Sequence, residues 1–134
     1  MSRRQAREVA VRWLYEYDIG GTAPDVILSR GDVKLDGPSY AFAKRLLEGV
    51  VRHRAELDAQ LERLSHDWRV ERMSAVDRAI LRLGLFELRF EPDVPAPVAL
   101  SEAVQLAHLY STPEGKRFVN GILSAAAREV RPDG

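Results

Sequence analysis

No cysteine occurs anywhere in the 134 residues, so the chain has no disulfide framework, no thiolate for a metal and no thiol nucleophile. That absence fits a reducing compartment, and a cytoplasmic location is expected. No apolar run approaches the roughly 18 residues that would span a bilayer. Met1-Ser2-Arg3-Arg4-Gln5 leads into an amphipathic stretch without the apolar core of a signal peptide, so neither a membrane segment nor export by that route is expected. Net charge is missing too: 20 Lys+Arg against 20 Asp+Glu leave a formal +0. The molecule as a whole has no electrostatic preference for nucleic acid, and any anion site must come from local asymmetry. Phosphate-loop and dinucleotide glycine patterns are absent, and nothing reads as a nucleophile elbow. His53, His66 and His108 fall on separate expected elements without paired carboxylates at ligand spacing. No metal, no cofactor and no enzymatic activity are expected. Arg30-Gly31-Asp32 spells an adhesion tripeptide but reads as a polar turn.

What is present is helical periodicity along nearly the whole chain. With 46% hydrophobic and 30% charged residues, it has the apolar matter for one domain over residues 1–134, and no segment shows the alternation of a strand. The expected class is all-α. Ala6, Val9, Ala10, Trp13, Leu14 and Tyr17 form one stripe between Arg3 and Asp18, closed by Gly20-Gly21. Thr22 ahead of Pro24-Asp25 suggests a short helix through Leu28, and residues 30–39 read as loop. The pattern over residues 40–65 predicts two helices with a break near His53-Arg54. Ser74-Ala75-Val76-Asp77 has capping-box form, so a helix should start at Ala75 and, being apolar nearly all round apart from Arg78, Arg82 and Arg89, should sit centrally. Pro92, Pro95 and Pro97 form a stiff connector into Val98–Tyr110. Thr112-Pro113 caps a last helix that runs to about Val130. Gly49, Gly84 and Gly121 lie within expected helices, where each costs about 1 kcal/mol relative to alanine, so close helix approach is expected at all three.

Local charge asymmetry is found at the N-terminus. Arg3, Arg4, Arg7 and Arg12 face only Glu8 there. On a helical wheel Arg3, Arg4 and Arg7 occupy a flank beside the apolar stripe, which Val11 and Tyr15 continue. Arginine makes bidentate phosphate contacts and stacks on bases, and an exposed tyrosine offers a stacking face. A second basic spot is the start of the last helix. Free backbone N–H groups already favour anions there, and Lys116 and Arg117 add charge against the helix dipole.

Five blocks, in order, carry a family resemblance: Arg3-Arg4-Gln5-Ala6-Arg7-Glu8 with Leu14-Tyr15; Trp68-Arg69-Val70-Glu71-Arg72-Met73; Asp77-Arg78-Ala79-Ile80-Leu81-Arg82; the run from Val94-Pro95 to Ala103-Val104; and Phe118-Val119-Asn120-Gly121-Ile122-Leu123. Together they resemble the NusB family of bacterial antitermination factors from about Arg3 to Val130. The resemblance implies about seven helices in two small packed bundles. It also implies a role with NusE, a small-subunit ribosomal protein, in binding single-stranded boxA RNA of ribosomal RNA leader transcripts within the RNA polymerase antitermination complex. By position, the implied RNA-binding residues are Arg3, Arg4, Arg7, Tyr15, Glu114, Lys116, Arg117 and Phe118. The partner-facing candidates are Val11, Tyr15, Asp77, Arg78 and Arg82, and a homodimer of the free chain through that surface is left open. Thr112-Pro113-Glu114-Gly115 departs from the Asp-Ser of many relatives, which leaves base preference there undetermined. Two other readings stand beside this one. A NusB-like domain is also found fused ahead of an RNA cytosine methyltransferase, which a chain ending at Gly134 does not suggest. The second is a helical protein-binding module whose arginines are merely solvated.

Overall fold

The computed structural model describes residues 2–133. It consists of α1 (Arg3–Gly20), α2 (Pro24–Ser29), α3 (Gly37–Arg52), α4 (Arg54–Leu64), a 3₁₀ turn (Val70–Arg72), α5 (Ala75–Phe90), α6 (Ala96–Tyr110) and α7 (Pro113–Val130), with no strand among the described residues. Short polar side chains set the helix starts. Ser2 and Gln5 close a reciprocal capping box on α1, with Gln5 N–H donating to Ser2 Oγ at 3.3 Å and Ser2 N–H to Gln5 Oε1 at 3.1 Å. Asp36, Ser74 and Thr112 cap α3, α5 and α7. Gly21, at φ 68°, ends α1 in the left-handed conformation. His53 at φ −103° belongs to neither helix and breaks α3 from α4.

Three boundaries differ from the sequence expectation. Ala23, not Thr22, precedes α2 and makes no side-chain cap. The loop after α2 ends at Asp36, because the Asp36 cap and Pro38 in the first turn launch α3 from Gly37. Helix α6 begins at Ala96, so Pro97 lies within its first turn, where the missing N–H costs no hydrogen bond.

The helices α1, α2 and α3 pack as one group and α4, α6 and α7 gather on the other side. Helix α5 packs against α1, α3, α4, α6 and α7 and so joins the two groups through one continuous core. Its central position follows from its sequence: every residue from Ala79 to Leu88 is buried. Each fully buried leucine or isoleucine there contributes about 1.5–3 kcal/mol. Two of the three glycines expected inside helices, Gly49 and Gly84, do mark close approach. A Cβ on Gly84 would lie 2.6 Å from Leu123 Cδ1, and one on Gly49 would overlap the Phe86 ring. Gly121 is the correction: it faces solvent, with nothing within 4 Å of an added Cβ, because α7 turns the neighbouring Ile122 and Leu123 inward instead.

Candidate RNA and partner interface

The arginines of α1 do not share one environment. Arg4 has 61% of its side chain exposed and donates from Nε and Nη2 to the two oxygens of Glu102 on α6, at 3.2 and 2.9 Å. Arg3 is half-exposed, donates to Asp93 at 3.3 Å and lies 4.4 Å above the Phe42 ring. Arg7 is interior, with 4% of its side chain exposed. Its Nε and Nη2 donate to Glu87 on α5 at 2.8–3.1 Å and its Nη1 to Glu102 at 3.4 Å. Burial pushes the Glu87 carboxyl above the ordinary glutamate range, and the Arg7 guanidinium opposes that shift. The expected solvent flank therefore loses Arg7. A residue beside the apolar stripe is covered when the neighbouring helix supplies a matching buried acid.

Two partner-facing candidates are interior for the same reason. Arg82, with 4% of its side chain exposed, donates to both oxygens of Asp58 at 2.8 and 2.9 Å and lies 3.5 Å from Asp18. Arg78 is pinned by Asp18 and by the Val70 and Met73 carbonyls, at 3.2 and 3.0 Å. These arginines tie α5 to α1, α4 and the 3₁₀ turn and offer little to a partner. Asp77 is largely buried and accepts from the Ser111 hydroxyl. Gly115 packs directly on both residues, leaving no room for a Cβ.

Tyr15 is exposed, as expected, and Val11 is buried beneath it. Together with Arg12, Val76 and Tyr110 they line a small apolar pocket of about 170 Å³. Tyr110 and Val76 were missed from sequence; the signal for Tyr110 was an aromatic at the very end of a helix, next to the Thr112 cap. On the other side of the start of α5 lies a cleft of about 360 Å³. Trp68, Arg72 and Asp77 line one part of it, and Glu114 and Phe118 another. In the first turns of α7, Glu114 and Arg117 are exposed, Phe118 is half-buried, and Lys116 Nζ lies 3.3 Å from His108 Nδ1. Trp68, 52% exposed, was legible only as part of a motif. An exposed tryptophan immediately before Arg69 and four residues before Arg72 is itself the overlooked signal.

This arrangement, seven helices among the described residues that present guanidinium edges and aromatic rings around the ends of α1, α5 and α7, defines an all-helical binding domain. A model of the NusB family matches residues 4–128. The transcription antitermination protein NusB of Symbiobacterium thermophilum is 43% identical over 141 residues, covering 98% of this chain and 92% of that protein. The solved structure of T. maritima NusB matches with a TM-score of 0.89 at 30% identity over 96% of this chain and 92% of that one. A chain in the crystal structure of antitermination factors NusB and NusE in complex with dsRNA matches with a TM-score of 0.83 at 30% identity, covering 95% of this chain and 96% of that one. The chain belongs to the NusB family. Its relatives are transcription antitermination proteins and not a known enzyme family. No helix among the described residues is long and apolar enough to cross a membrane.

Proposed function

We propose that this chain is a cytoplasmic transcription antitermination factor that acts as a single non-catalytic adaptor domain. With a ribosomal protein of the NusE kind it binds boxA RNA of ribosomal RNA leader transcripts and enters the RNA polymerase antitermination complex. The observation that carries the reading is the pairing, along α1, of outward guanidinium edges at Arg3 and Arg4 with an apolar pocket at Val11 and Tyr15, which Tyr110 of α6 helps to line. The arginines, together with Glu114, Lys116, Arg117 and Phe118, form the RNA side. Tyr15 and the pocket around it form the protein side. Arg7, Arg78 and Arg82 act from inside by holding the helices that present these groups, and Asp77 holds the turn into α7.

One observation favours a second reading, a protein-binding module without RNA: Arg3, Arg4 and Arg7 each already face an acid. A single experiment separates the two. Titration of a boxA-containing single strand should show weak binding by the chain alone and tighter binding by the chain with NusE, since one basic end offers few phosphate contacts. Equal RNA affinity with and without NusE would remove the adaptor reading. A pair with no RNA affinity at low salt would leave the protein-binding module.

A further inference from the structure

Arg4 is not simply a free cation on the surface. Its Nε–Nη2 edge is occupied by both oxygens of Glu102, while Nη1 has no hydrogen-bond partner among the described residues and the side chain stays 61% exposed. A guanidinium has five N–H donors in a rigid planar fork, so a carboxylate on one edge fixes the direction in which the other edge points. Glu102 is itself well placed for this. It projects from α6, its side chain is only 13% exposed, and its Oε1 also receives Arg7 Nη1 at 3.4 Å. Arg7 is in turn locked on the buried Glu87. The chain of contacts Glu87–Arg7–Glu102–Arg4 therefore runs from the core of α5 to a solvent-facing guanidinium edge.

We infer that Glu102 is a positioning residue for nucleic-acid recognition: it buttresses Arg4 so that the free Nη1–Nη2 edge meets one phosphodiester of a bound RNA strand in a fixed register. This rests on the RNA-binding reading above. The buttress has two effects that a solvated arginine lacks. It removes the rotamer freedom that Arg4 would lose on binding, and it cancels most of the local charge, which weakens indiscriminate attraction to any polyanion. Phosphate contacts set register and do not read bases. The gain therefore appears as preference for the strand whose other contacts match that register.

The test uses the chain with its NusE partner and two single strands of equal length, one containing boxA and one scrambled. The ratio of their affinities should fall about tenfold in Glu102→Gln, as for loss of one charge-assisted contact. The salt slope for the scrambled strand should steepen by about 0.7, because one cation is set free. Arg4→Lys, which cannot span two carboxylate oxygens, touches no core residue and should lower the ratio by a similar factor, and the double variant should lose no more than either single one. In the RNA-free protein, the Arg4 Nε–H should exchange with solvent more slowly in the wild type than in Glu102→Gln, a readout of the buttress that does not depend on binding. An unchanged ratio in Glu102→Gln, or additive losses in the double variant, would overturn the inference alone. A wild-type pair with no preference between the strands would overturn the functional reading and this inference with it.

Discussion

Arg7 and Glu87 meet in the interior between α1 and α5, with three guanidinium-to-carboxylate contacts of 2.8–3.1 Å and side chains only 4% and 1% exposed. Breaking such a pair from one side strands a buried charge, which costs about 3–5 kcal/mol, whereas replacing both partners with apolar residues is often neutral. Arg7→Ala and Glu87→Ala should each lower the urea unfolding midpoint strongly. Arg7→Met with Glu87→Leu should recover most of the loss. Single variants with wild-type midpoints would show that Arg7 points to water.

The helical glycines separate by what surrounds them. Gly84 has no room for a methyl group beside Leu123, so Gly84→Ala should destabilise by about 1–3 kcal/mol through overpacking. Gly121 faces open space on α7, and Gly121→Ala should stabilise by about 0.5–1 kcal/mol through the lost backbone entropy of glycine. Equal shifts in the thermal midpoint for the two variants would contradict this packing.

Periodicity and capping chemistry made the helices legible, because those signals are local. The apolar stripe of α1, the Ser74 and Thr112 caps and the break at His53 are each written within a few residues. The fate of individual charges was not legible, because it depends on partners on other helices, 24 residues away for Arg82 and Asp58, 60 for Arg78 and Asp18 and 80 for Arg7 and Glu87. The clue was on α5: a lone glutamate within the run Leu83 to Leu88, apolar all round, calls for a buried cation. Tyr15 was legible as exposed, but its pocket was not, since Val76 and Tyr110 come to it from α5 and α6.

Glu102 makes stability depend on pH in a definite direction. The Arg4 guanidinium holds its carboxyl below the ordinary value of 4.5. For a carboxylate whose folded pKa is depressed, the stabilisation is present in full above the unfolded value and is lost as pH falls through the lowered folded one. Arg4→Ala removes the main cause of that shift. The gap in urea midpoint between wild type and Arg4→Ala should therefore be largest near neutrality and close on acidification below about pH 4.5. A gap that widened in acid would mean that Arg4 stabilises by packing and not by charge.

Tyr15 and Arg4 lie on the same helix yet should fail differently. Arg4→Ala should lower the salt slope for RNA by about 0.7, the expectation for one phosphate contact on a single strand, and should leave binding of NusE intact, since the side chain lies away from the Tyr15 pocket. Tyr15→Ala should weaken NusE binding by about 2 kcal/mol, because a tyrosine over an apolar pocket has the character of a central anchor. It should not change the salt slope for RNA measured on the chain alone. Tyr110→Ala should repeat the Tyr15 effect, since both rings line one pocket, and the double variant should lose less than the sum of the two. Should Tyr15→Ala instead cost RNA affinity in the free chain by about 1–3 kcal/mol, the ring stacks on a base. The apolar pocket would then belong to the RNA side, and the partner surface would have to lie elsewhere, with the Trp68 cleft the next site to test.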